Sequence, residues 1–115
     1  MKKFQFKVDG PLWGYRQGRK EAFHPQRVAF KQRVRYLANV AGIPDMLAPR
    51  PSYARVIVEI YWNKLARIDG KNILGIIEDS LWKQDRLIRF GAYETYEKQG
   101  EEYAQVFIKI QEASK

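Results

Sequence analysis

Asp69 and Asp85 are the residues of this chain whose type and setting best fit chemistry. Hydrolysis of a phosphodiester needs a nucleophilic water and neutralisation of charge on the phosphate. Carboxylates supply both by holding Mg2+, a hard cation that takes oxygen ligands; Mn2+ can substitute for it. Asp69 stands in Arg67-Ile68-Asp69-Gly70-Lys71-Asn72, a turn that opens a short helix, and Asp85 is an isolated acid three residues past that helix. Asp79, within the helix, is the third candidate ligand. Asn72 and Asp79 are seven positions apart and so lie on nearly one helix face. Arg67 and Lys71 flank Asp69, where basic groups serve to neutralise a phosphate. Each acid also has a plain structural account. Asp69 before Gly70 suits a turn or a helix N-cap, Asp85 a loop charge, and Asp79 a solvated helix position. The helix between Asp69 and Asp85 rises about 15 Å at about 1.5 Å per residue. The two acids therefore meet only if the loop doubles back or if one comes from a second protomer.

The charge distribution points to a polyanionic partner. The 115 residues carry a net charge of +8, with a pI near 9.8. Residues 1–67 hold 14 Lys and Arg against 4 Asp and Glu, whereas residues 68–115 hold 7 against 9. Nucleic acid is the commonest partner for such a basic half. Arg16, Arg19, Lys20, Arg27 and Lys31 could track a phosphate backbone, while Trp13 and Tyr15, with Phe23 beside them, could stack on exposed bases. Packing is the better account of Phe23, and His24 before Pro25 reads as a residue leading into a helix. With no cysteine and one histidine, disulfides, thiolate catalysis, sulfur-bound zinc and two-histidine sites within one chain are excluded. No apolar run is long enough to span a bilayer, and Met1–Phe6 lacks the apolar core of a signal peptide. The expectation is a cytoplasmic protein with no membrane partner.

Seven stretches must position these residues. Lys3–Val8 alternates as a half-buried strand that Gly10-Pro11 ends. Residues 10–24 form a loop rich in bases and aromatics. From Pro25, the residues Phe30, Val34, Leu37 and Ala41 recur at helical spacing, beside a basic stripe of Arg27, Lys31 and Arg35, and Gly42 and Pro44 close the helix. Ala54–Trp62 is apolar on both faces, as in a central strand. Asn72–Trp82 carries Ile73, Ile76, Ile77 and Leu81 on one helical face. Gly75 in that helix costs about 1 kcal/mol relative to alanine; close helix–sheet packing accounts for it better than approach of a ligand. Leu87–Thr95 and Glu102–Gln111 read as strands, joined at Lys98-Gln99-Gly100 by a hairpin turn. The expectation is one α+β domain over residues 1–115, in the order β-α-β-α-β-β, with two helices packed on a mixed sheet.

Read together, these stretches resemble the RusA family of Holliday junction resolvases. Arg67-Ile68-Asp69-Gly70-Lys71-Asn72 is similar to the family's Asp-x-Asp-Asn motif entering a helix, Glu78-Asp79-Ser80-Leu81 to its Asp-Ala-Leu segment, and Gln84-Asp85 to its paired acidic step. Gly10-Pro11, the arginine-rich loop and His24-Pro25 resemble its N-terminal half. The resemblance implies a homodimeric, Mg2+-dependent endodeoxyribonuclease that resolves branched DNA in recombination and repair. It makes Asp69 and Asp85 catalytic metal ligands, Asn72 the asparagine that follows the second aspartate, and Arg67 and Asn72 part of the DNA surface. Two positions depart from the pattern. Lys71 stands where the family has that second aspartate, and Gly75 where it commonly has a functional lysine. On one reading the lysine has moved to position 71 as a catalytic group, with Asp79 or Glu78 helping to hold the metal. On another the site is degenerate, and the chain binds DNA weakly or without cutting. A third reading, from the aromatic and basic loop alone, is a single-stranded nucleic-acid binding module.

Overall fold

The computed structural model describes residues 2–10, 12, 25–43, 52–62, 70–82 and 87–112. They form β1 (Lys2–Asp9), α1 (Pro25–Val40), β2 (Ser52–Trp62), α2 (Gly70–Leu81), β3 (Ile88–Glu97) and β4 (Tyr103–Glu112). The α+β class, the element order and the mixed sheet are as the sequence predicts. No helix among the described residues is long and apolar enough to cross a membrane.

The four strands lie in the order β1-β4-β2-β3. β4 runs antiparallel to both β1 and β2, and β3 runs parallel to β2. This corrects the expected hairpin: β3 and β4 follow each other in the chain but are not neighbours. Their connection turns at Gly100, which takes a φ of 85° that suits glycine, and it crosses the end of β2, where Lys98 N–H donates to Trp62 O at 3.0 Å. β2 is apolar enough to be central, and it takes a neighbour on each side.

Both helices cover one face of the sheet. Phe6 and Val8 of β1, Ala54, Val56, Val58, Ile60 and Trp62 of β2, and Ala104, Val106, Ile108 and Ile110 of β4 are buried there. Above them sit Phe30, Val34 and Ala38 of α1 and Ile73, Ile76, Ile77 and Leu81 of α2. α1 ends in a Schellman motif: Gly42 at φ 87° donates to Asn39 O, and Ile43 donates to Ala38 O, each at 3.0 Å. The side chain of Ile43 is buried behind this turn, which fixes where the helix stops.

α2 starts at Gly70, two residues before the apolar spacing begins. A side chain at Gly70 would meet the Tyr93 ring, with Thr95 Cγ2 at 3.2 Å, so glycine lets the helix start press onto β3. Further along, Glu78 lies over Gly91. α2 therefore runs antiparallel to β3, from its C-terminal half back to its beginning. α1 likewise returns along β1, its end at Gly42 reaching Phe4. β1 and β2 share a direction because both oppose β4, so the two helices run parallel.

Among the described residues, nothing covers the opposite face of the sheet. Five cross-strand rows lie on it, set by the register. Tyr53 stands beside Gln111, with Arg89 3.6 Å over the Tyr53 ring. Arg55 stands between Lys109 and Phe90, its guanidinium 4.6 Å over the Phe90 ring. Ile57 stands between Phe107 and Ala92, Glu59 between Gln105 and Glu94, and Tyr61 between Tyr103 and Tyr96. The last row is a ladder of stacked rings, 4.4 Å and 5.0 Å between centroids. Tyr96 donates its phenol to Glu94, and this bond to an anion, chiefly, pushes its pKa up to about 12. Tyr61, raised first by desolvation and then by Glu59, donates to that carboxylate at 3.2 Å.

Candidate nucleic-acid interface and metal site

The described part of the candidate site is the groove between the two parallel helices. Three turns of α1 place Arg27, Lys31 and Arg35 along one flank, the first two half-buried and Arg35 exposed. That flank faces α2, because Arg35 lines a notch with Ala38, Asn39, Ile43, Ser80 and Leu81. The notch has room for about 10 Å³, the space of one water, so it is not a small-molecule pocket. Ser80 closes it by donating its hydroxyl to Ile76 O at 2.6 Å. Since the helices are parallel, Arg27 and Lys31 lie beside the N-terminal half of α2, which bears Asn72.

α2 wears its charges opposite to its dipole. Within the helix Lys71 is in the first turn, which holds no acid, and Glu78 and Asp79 are in the last turn, which holds no base. A helix dipole favours anions at its N-terminus and cations at its C-terminus, each by about 0.3–1 kcal/mol near the surface. The arrangement therefore costs stability, and bound ions of the opposite sign at each end would offset that cost. At the N-terminal end, Lys71 and Asn72, with the backbone amides of the first turn, suit a phosphate. At the C-terminal end, Glu78 and Asp79 suit a cation.

Geometry limits which acids can share an ion. Asp79 is nine residues beyond Gly70, about 14 Å along the axis, whereas ligands of one Mg2+ lie about 2.1 Å from it. Asp79 is thus too far along its own helix to share an ion with a ligand held at the Gly70 end of that helix. Among the described residues, no three carboxylates or histidines gather into a metal cluster. The donor set still fits Mg2+, which commonly takes one or two carboxylates and fills its remaining positions with water and phosphate. Asp69, Asp85, Arg16, Arg19, Lys20, Arg67, Trp13, Tyr15, Phe23 and His24 lie outside the described residues.

Two glycines mark features that helical and strand periodicity did not reveal. Gly91 leaves space for the Glu78 carboxylate: a Cβ built there would lie 3.2 Å from Glu78 Cδ. A glycine within a strand is the sequence signal for such close approach. Gly75 is the reverse case. Nothing lies within 4 Å of a Cβ built on it, so close helix–sheet packing, the account favoured from sequence, does not explain it. The position opens onto the outer side of α2, between Lys71 and Asp79. Gly75→Ala is expected to stabilise the fold by about 1 kcal/mol, raising Tm by about 4 °C in thermal unfolding followed by circular dichroism. An unchanged or lower Tm would mean that the backbone at Gly75 needs conformational freedom.

The fold places this chain among α+β proteins with a four-stranded mixed sheet and both helices on one face. No protein-family model matches the chain. No curated protein matches it significantly in sequence.

Proposed function

We propose that the protein is a homodimeric, Mg2+-dependent endonuclease acting on branched DNA. The observation that carries this reading is the reversed charge of α2 next to the basic stripe of α1, which offers a phosphate site and a cation site on one helix. Arg27 and Lys31 hold the DNA backbone along the groove, and Arg16, Arg19, Lys20 and Arg67 extend that contact. Lys71 and Asn72 orient the phosphate at the start of α2, with Lys71 balancing the charge that develops on it. Asp69 and Asp85 hold the ion, and Asp79 supports it from the Asp85 side. When bound, Mg2+ polarises the phosphate and lowers the pKa of a bound water. The resemblance to the junction resolvases supplies the substrate class, and two symmetric cuts in a four-way junction require two centres.

The test is nicking of a synthetic four-way junction with Mg2+. Wild-type protein is expected to nick it, and Asp69→Asn to lose about 100-fold or more of the rate, because a metal centre contributes several kcal/mol to the transition state. Asp69→Asn should still bind the junction in the absence of metal. Equal cutting by the two proteins would remove Asp69 from the site.

Lys71 favours a second reading, a DNA-binding relative that does not cut. Placing a cation where an acid would hold metal shifts the site by two charges against Mg2+. Salt-sensitive junction binding without nicking by the wild type, together with metal affinity gained in Lys71→Asp, would establish that alternative.

A further inference from the structure

The uncovered face of the sheet divides by charge. At one end Lys3, Lys109 and Arg55 stand side by side on β1, β4 and β2, with Phe90 of β3 next in the row. The row beyond holds Tyr53 and Gln111, and Arg89 lies over the Tyr53 ring. The row on the inner side holds Gln5, Phe107, Ile57 and Ala92. These three rows carry four cations and no acid. Glu59 and Glu94 enter only in the next row, and the Lys7 of that row is turned to Asp9, 3.6 Å away.

An irregularity in β3 adds to the basic end. Ala54 pairs with Ile88 but Arg55 pairs with Phe90, so β3 carries one extra residue, Arg89, between them. Strict alternation would send Arg89 and Phe90 to opposite sides of the sheet. The bulge re-aims the arginine, and both reach the open face. Arg89 lies 3.6 Å over the Tyr53 ring, and Arg55 lies 4.6 Å over the Phe90 ring. A guanidinium held over a ring keeps its in-plane N–H donors for an anion. Lys3, Arg55, Arg89 and Lys109 are all exposed, and so are Phe90, at 42%, and Ile57, at 37%.

Cations without acids select an anionic partner. The rings and planar guanidiniums among them select an anion that also has flat faces, which is an unpaired nucleic-acid strand. A duplex hides its base faces in its own stack and would leave Phe90 unused. An acidic peptide would meet the charges and not the rings. The row from Lys3 to Phe90 crosses three gaps between strands, about 14 Å at about 4.8 Å each. Open four-stranded sheets with exposed aromatic residues take two or three stacked bases. The acidic row at Glu59 and Glu94 repels phosphate, which keeps the strand running across the basic end.

We infer that the basic end of the open sheet face binds single-stranded nucleic acid. Lys3, Lys109, Arg55 and Arg89 hold its phosphates, Phe90 stacks on a base, and Phe107 and Ile57 form an apolar floor beside it. This site lies on the other side of the sheet from the groove between the helices. It needs no metal, and it is built on the strands rather than on residues 13–23. It therefore goes beyond the nuclease reading and stands or falls apart from it.

The test is fluorescence anisotropy of a short labelled oligothymidylate with the full chain in EDTA, where failure is distinct from failure of the nuclease reading. Wild type is expected to bind it. Phe90→Ala should weaken that binding about 10-fold, as loss of one stacked base does, and leave binding of a blunt duplex unchanged. Arg55→Gln/Lys109→Gln removes two phosphate contacts and should flatten the slope of log K against log salt by about 1.4. Tyr36→Ala removes an aromatic side chain that is 67% exposed on α1, and it should change neither quantity. The variants alter exposed side chains only, and circular dichroism checks that each is folded. The proposal is overturned if wild type does not bind the oligonucleotide, or if the sheet variants bind it as wild type does. It is also overturned if Phe90→Ala weakens duplex binding equally, since the face would then read phosphates and not bases.

Discussion

Mixing Asp69→Asn protein with Asp85→Asn protein restores Mg2+-dependent nicking to about a quarter of the wild-type rate, although each variant is inactive alone. The reasoning starts from the direction of α2. Its first residue presses on Tyr93 and Thr95 of β3, and its last turn lies near Gly91, where β3 is beginning. Along the helix axis, Gly70 and Leu81 are about 17 Å apart at about 1.5 Å per residue. Position 69 adjoins the first end and position 85 follows the second. In the proposed homodimer, one acid from each chain would complete each centre, and the mixture tests that arrangement. Random exchange makes half of the dimers mixed, and each mixed dimer keeps one intact centre of two. Nicking that stays absent in the mixture, with dimers present, would show that both acids of a centre come from one chain.

Phe30→Ala is expected to lower stability by about 3–5 kcal/mol, the usual cost of truncating a buried aromatic side chain. Phe30 is 1% exposed and seats α1 on the sheet. Domains of this size have only about 5–15 kcal/mol in total, so the variant would stand near the limit of folding. Urea denaturation should show a lower midpoint with an unchanged slope. A loss under about 1 kcal/mol would mean that α1 owes little to its packing. The basic stripe of α1 depends on the same seat, because Arg27 and Lys31 reach the groove only while the helix is docked.

Several features were legible from residue types alone. The apolar spacing of Phe30 and Val34, and of Ile73, Ile76 and Ile77, records which side of each helix is buried. Gly42 announced the end of α1, because a positive φ there is cheap only for glycine. The alternation of Ala54–Trp62 placed β2 in the middle of the sheet. The sequence was less informative about neighbours. A short turn containing Gly100 reads as a hairpin whether its strands pair or straddle a third, since both connections need the same reversal. The uncovered face was obscured in the same way. Ile57 made β2 look buried on both sides, while the register shows Arg55 and Glu59 on an uncovered face beside Lys109 and Glu94. In the candidate site, the helix bearing Lys71, Asn72 and Asp79 was readable. The misfit between its charges and its dipole needed the helix ends, which periodicity alone placed two residues late at the start.

The last of the described strands in chain order, β4, occupies an interior place in the sheet. Among the described residues β1 pairs with β4 alone, and β2 has β4 on one side. A ribosome that has not yet released residues 103–112 holds a nascent chain whose first strand has nothing to pair with. Cooperative folding of the sheet must therefore wait until residues 103–112 have emerged. A stop codon before Tyr103 would remove the sheet's keystone along with its tail.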